Sequence, residues 1–127
     1  MTTNPKTADL RDRLEFVGLN HAQRQHLGTL APVIGASVPP ALDIFYRKAS
    51  SHPHTAKFFS SPQHIDHAKS RQATHWGIIA AGQYDESYVD GVTRVGAVHA
   101  RIGLEPRWYI GGYAIILDGI IRAVVKQ

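Results

Sequence analysis

Residues 84–113 read YDESYVDGVTRVGAVHARIGLEPRWYIGGY, and the spacing within this stretch sets the fold class. Tyr88, Val92, Val95, His99 and Ile102 recur at steps of three and four, the period of one helix face. The pattern predicts a helix from near Asp85 to about Ile102, ended by Gly103, a residue free to adopt left-handed backbone. Pro106 then starts a last helix over Arg107–Gln127, since proline is tolerated in a first turn where its missing N–H has no intrahelical partner.

The same period runs through the rest of the chain. Leu10, Leu14 and Val17 predict a short helix within residues 1–19. Asn20 caps a second helix, Ala22 to about Ile34, with Leu27, Leu30 and Ile34 on one face and Pro32 as a kink or early stop. Ser37 is expected to start a third, with Pro39 and Pro40 in its first turn, Leu42, Phe45, Tyr46 and Ala49 along it, and an end before His52-Pro53. His54–Ser61 is expected to be a loop carrying the Phe58-Phe59 pair. Ser61 and Pro62 open a long helix to about Ala81, closed by Gly82, with a seam of Ile65, Ala68, Gln72, His75/Trp76 and Ile79. No strand pattern, repeat or low-complexity segment interrupts this. The expectation is one all-α unit: an N-terminal extension helix over 1–19 and a domain over 20–127.

At 127 residues with 43% hydrophobic and 19% charged residues, the chain is long enough to bury a core without staples. It has no Cys, which excludes a disulfide scaffold, a thiolate nucleophile, an iron–sulfur cluster and a Cys-type zinc site. Fourteen Lys plus Arg against ten Asp plus Glu give a net charge of +4, but Lys6, Arg13, Arg24, Lys48, Arg71, Arg94, Arg107 and Lys126 form no run. A solvated surface, with no nucleic acid as partner, is the reading. The polar N-terminus shows no secretory signal. The longest apolar run, Trp108–Leu117, is ten residues against the roughly 20 of a membrane span. A cytoplasmic protein without membrane insertion is expected.

Histidine is the only abundant ligand-type residue, with eight copies. His52 and His54 flank Pro53 in a loop, and His21 and His26 lie on a polar helix; all four read as solvated. His64 and His67, at i and i+3, could share a metal, but a third ligand has to come from elsewhere. His75, beside Trp76, is either a hydrogen-bonded interior histidine or a group approaching a ligand pocket from its far side. His99 differs from all of these. It lies on the apolar face with Val92, Val95 and Ile102, while Gly96, Ala97, Ala100 and Gly103 strip the backbone around it of bulk. A glycine inside a helix costs about 1 kcal/mol against alanine, so something large is expected close by. Together with Phe45, Tyr46, Phe58, Phe59, Trp76 and Tyr109, this is what a flat apolar cofactor requires. One neutral imidazole in an apolar slot is how a five-coordinate haem iron is held. The residues alone leave a second reading, a satisfied core histidine.

The pattern His99-x-Arg101-Ile102-Gly103-Leu104-x-Pro106-x-Trp108-Tyr109 resembles the sensor domain of the globin-coupled sensors. Upstream, Phe45, Tyr46 and Lys48, followed by Pro53 and the Phe58-Phe59 pair, match in order and spacing, and the resemblance covers roughly residues 10–125. It implies a globin fold and haem b (iron protoporphyrin IX). By the same resemblance His99 is the proximal iron ligand, and Tyr46 is the distal tyrosine that donates a hydrogen bond to bound dioxygen. Ala68 and Gln72 take distal-helix positions facing the ligand. Tyr109 is a hydrogen-bonding tyrosine beside the proximal histidine, and Phe58 or Phe59 packs on the porphyrin. Phe45, Val95 and Ile102 complete the cofactor lining.

Family sensor domains continue into a further long helix and then a transmitter: a kinase, a cyclase or a chemotaxis module. This chain ends at Gln127, so the expectation is a globin domain lacking its last long helix, with the output module elsewhere. Apolar surface at Ile115, Ile116, Ile120, Ile121, Val124 and Val125 is expected to be exposed and to form a homodimer through the C-terminal helix. The implied function is sensing of dioxygen or another diatomic gas in bacterial signal transduction, with no catalysis by the chain itself. The rival readings are a haem enzyme such as a nitric oxide dioxygenase, for which no flavin or nicotinamide fingerprint is present, and a haem-free helical interaction module.

Overall fold

A long central helix organises the molecule, because its inward residues recur at helical spacing over five turns. The computed structural model describes residues 5–126, with side chains from Thr7 onward. The outermost residues of the 1–19 and 20–127 divisions, 1–4 and 127, lie outside the described residues. In chain order the helices are α1 (Pro5–Phe16), α2 (His21–Thr29), α3 (Ala31–Ser51), α4 (Pro53–Ala56), α5 (Pro62–Ala81), α6 (Glu86–Ile102) and α7 (Pro106–Val125), and no strand occurs among the described residues. The all-α expectation holds.

The central helix is α3, which packs against α7 on one side and α5 on the other; α2 lies on α5, and α1 lies against α6. Leu42 (0% exposed) and Ile116 (1%) sit at the centre of the core, joined by Ile34, Val38, Ala41, Tyr46, Trp76, Ala80 and Ile120. Ile116 and Ile120 are therefore not on the exposed surface expected of them: they bury against α3. Ile121 and Val125 are exposed as expected, joined by Ile110 and Leu117, while Ile115 and Val124 are half-buried. By length and composition α7 is apolar enough to cross a membrane, which the ten-residue uninterrupted run did not reveal. One face, with Gly112, Ile116 and Ile120, is buried, and an Arg122–Asp118 ion pair at 2.9 Å lies on another.

The α2–α3 break differs from expectation. Leu30 forms the junction, the two helices are bent by 66°, and Pro32 falls in the first turn of α3. Pro39 and Pro40 lie inside α3 rather than at its start. The reason is their orientation: both prolines are exposed, and so are Gly35 and Ala36 four residues earlier. Water takes the place of the two missing N–H donors there, while the opposite face of the helix is buried. The expected aromatic loop contains the short helix α4, in which the His52 Nδ1 accepts from the His54 N–H at 3.3 Å and the Thr55 hydroxyl donates to the Ala49 carbonyl at 2.7 Å.

Local capping fixes the other boundaries. Side chains of Asn20, Ser61 and Asp85 accept from the N–H groups of Gln23, His64 and Tyr88 at 2.9, 3.1 and 3.0 Å. Gly82 ends α5 at φ +72°, and a Cβ there would lie 2.7 Å from the Arg24 carbonyl oxygen, so α2 seats on the end of α5 only because position 82 has no side chain.

Candidate functional site

The α3–α5 interface assembles the first group of site residues. Tyr46, Gln72 and Trp76 meet there, the last two one turn apart on α5 and therefore on one face. The Trp76 Nε1–H donates to the Gln72 Oε1 at 3.2 Å, and the Gln72 Nε2–H donates to the Tyr46 hydroxyl oxygen at 3.2 Å. With both ends of its amide engaged, Gln72 is oriented, and the hydroxyl proton of Tyr46 remains to be given to another acceptor. Burial pushes the Tyr46 phenol up, against the lowering effect of the Gln72 bond and with a further push from Tyr113, so the group stays protonated. Phe45 and Phe59 frame the ring edge-on, at centroid distances of 4.8 and 5.7 Å. Ala68 packs half-buried against the same core.

The second group spans the turn from α6 to α7. His99 and Tyr109 stack at 5.0 Å between centroids with 21° between planes. The expected hydrogen bond from Tyr109 is thus a ring stack, because Tyr109 approaches His99 with its face rather than its hydroxyl. Burial pushes the His99 imidazole below its ordinary value, which favours the neutral form that a metal ligand requires. No residue of α6 is buried. Val92 and Ile102, expected to point into the core, are 41% and 45% exposed, and Val95 is half-buried. The cause is the packing of α6, whose main helix partner is α1 rather than the α3–α5–α7 core. A Cβ at Gly96 would meet no atom within 4 Å, so no protein group exploits the stripped backbone.

Tyr113 of α7, which sequence reasoning did not single out, adjoins the first group. Its hydroxyl is 3.4 Å from the His75 Nε2, and its ring meets Trp76 edge-on at 5.7 Å. Its phenol is pushed up by burial and by Tyr88 of α6. Of the two readings of His75, the structure shows the hydrogen-bonded interior histidine. Its four-residue spacing from Tyr109 on α7 is the signal that would have found Tyr113.

Phe58 and Phe59 separate: Phe59 joins the core beside Tyr46, whereas the Lys57 ammonium lies 5.3 Å over the Phe58 ring. His64 works as a local cap, its Nδ1 accepting from the Ser60 N–H at 3.2 Å. Among the described residues no three metal-ligating side chains cluster. His52 and His54 are not isolated: both lie against the Trp108 ring, at 5.1 and 5.3 Å.

These residues fit a haem. They offer one neutral imidazole on an apolar helix face uncovered by the central core, and a separate buried phenol with an uncommitted proton. The Protoglobin family model matches residues 6–127. The chain belongs to the protoglobin family. Its globin fold follows, and the resemblance to globin-coupled sensor domains holds with it. A similar curated relative is the heme-based aerotactic transducer HemAT of Halobacterium salinarum, 27% identical over 121 residues, covering 94% of this chain and 25% of that protein. This protoglobin domain therefore spans about a quarter of the length of that relative. No solved structure matches.

Proposed function

We propose that this protoglobin domain binds haem b through His99 and senses dioxygen, passing the signal to an output module in a longer protein or a partner. The observation that carries the reading is the Tyr46 hydroxyl: buried, protonated, and already accepting from Gln72, it keeps its proton to give. When bound, the haem would supply an iron centre able to take a diatomic gas. His99 supplies the ligating nitrogen, which burial keeps free of its proton. The stacked Tyr109 sets the plane of the imidazole. Tyr46 would donate to the gas, with Gln72 occupying its acceptor side. Dioxygen polarises more strongly than carbon monoxide and gains more from such a donor in a dry site. Ala68, one turn before Gln72, adds no second donor.

The same stack gives the signal a route. His99 is three residues from the end of α6 and touches Tyr109 in the first turn of α7, so displacement of the imidazole is delivered directly to α7. The relative's designation as a heme-based aerotactic transducer supports a sensing role.

The test is an absorption titration of the purified chain with haem, in ferric, ferrous and dioxygen-exposed forms. A sharp Soret band that shifts with dioxygen and is lost in His99→Ala is the expected result. A spectrum unchanged by His99→Ala would overturn the assignment.

A further inference from the structure

Away from the haem-binding residues, α1, α2 and the C-terminal end of α5 enclose a cleft of about 420 Å³, within the usual size of small-molecule sites. Arg11, His21 and Arg24 line it, and no lining residue is Asp or Glu. Leu10 and Leu14 stand one turn apart on the α1 wall, with Tyr84 also in the lining. The ion pairs among the described residues belong to Arg13, Lys69, Arg107 and Arg122; Arg11 and Arg24 take part in none. Asp9, which shares α1 with Arg11, is committed to Arg13 at 3.1 Å.

The cleft is built on fixed groups. The Arg24 Nη1 donates to the Leu19 carbonyl at 2.7 Å, which holds the guanidinium while leaving its other N–H groups unengaged. The Tyr84 hydroxyl donates to the Ile79 carbonyl at 2.9 Å, and Arg24 lies close enough to lower that phenol against the larger upward push of burial. The contact of Gly82 with the Arg24 backbone sets the floor. Two guanidinium groups and an imidazole that line one cleft without a carboxylate, beside two leucines, have the charge and the surface to hold an anion with an apolar body.

We propose that this cleft binds a small organic anion, its carboxylate or phosphate held by Arg11 and Arg24 and its apolar body laid against Leu10 and Leu14. The proposal is independent of haem binding. The test follows backbone amide shifts of the full chain, as purified, titrated separately with benzoate, adenosine monophosphate and inorganic phosphate. The expected result is saturable shifts at Arg11, Arg24, Gln83 and Tyr84 with benzoate or the nucleotide. Benzoate binding identifies a carboxylate ligand and nucleotide binding a phosphate ligand. Arg11→Gln, whose side chain makes no ion pair, is expected to weaken binding by about ten-fold or more, and Arg24→Gln at least as much. Absence of saturable shifts with both organic probes, or binding unaffected in Arg11→Gln, would overturn the proposal. Inorganic phosphate binding as tightly as the organic probes would overturn the apolar part of the site.

Discussion

Gln72 donates to the Tyr46 hydroxyl at 3.2 Å across the α3–α5 interface while accepting from Trp76 at the same distance. The chain of donors runs one way, from indole to amide to phenol, and it leaves the last proton pointing out of the network. On the proposed function, orientation of that proton, rather than the mere presence of a tyrosine, is what would make Tyr46 a donor toward a bound gas. Tyr46→Phe is expected to speed dioxygen release about 10- to 150-fold, the equivalent of a charge-assisted hydrogen bond worth roughly 1.5–3 kcal/mol. Trp76→Phe, which keeps the aromatic bulk, is expected to move the off-rate in the same direction by less. Stopped-flow ligand displacement measures both, and an unchanged rate in Tyr46→Phe would remove it from the ligand's surroundings.

Removal of the His99 imidazole is expected to abolish axial ligation without unfolding the chain, since no residue of α6 is buried in the core. His99→Gly supplied with free imidazole is expected to recover the five-coordinate ferrous spectrum. Circular dichroism of the same sample separates loss of ligation from loss of fold.

Acid is expected to destabilise the haem-free chain through His75. Burial pushes this imidazole below its ordinary value of 6.5, and its near neighbour across the interface is the Tyr113 hydroxyl at 3.4 Å, itself held protonated by burial. A lowered folded-state pKa means that the unfolded chain binds the proton first. Stability is therefore complete above about pH 6.5 and falls as pH drops through that value toward the lower folded-state pKa. Denaturant melts at pH 7.5 and pH 5.5 are expected to differ by less in His75→Gln than in the parent chain.

Gly112 marks a place where α7 and α3 touch too closely for a side chain: a Cβ there would lie 2.8 Å from the Phe45 Cε2. Gly112→Ala is expected to cost about 1–3 kcal/mol of stability, as overpacking does. Because the Phe45 ring lies edge-on to Tyr46, the displaced ring is also expected to disturb the Tyr46 hydroxyl, the donor of the proposed function. Chemical denaturation reads the first effect and dioxygen off-rates the second.

Much of this arrangement is legible in the sequence because its signals are local. Ser61-Pro62, Gly82, Asp85, Gly103 and Pro106 each punctuate a helix through their own backbone or side-chain chemistry; α5 and α6 begin and end, and α7 begins, where those residues stand. The Pro39-Pro40 pair misleads for a tertiary reason: only the finished packing shows that its side of α3 faces water. His99 is marked by residue type and spacing, and Tyr46 and Gln72 by the family resemblance. The bonds that give them direction are not, because Gln72 and Tyr46 are 26 positions apart and Tyr113 and His75 are 38. The burial of Ile116 and Ile120 was hidden in the same way, since a helix apolar on more than one side does not announce which face meets its neighbour.

The helix bearing His99 rests on α1, at the amino-terminal edge of the molecule, rather than on the central bundle. The first helix is thus the splint for the helix that carries His99. Trimming the first sixteen residues, or loading them with a bulky fusion partner, would leave the core intact and slacken the grip on the prosthetic group.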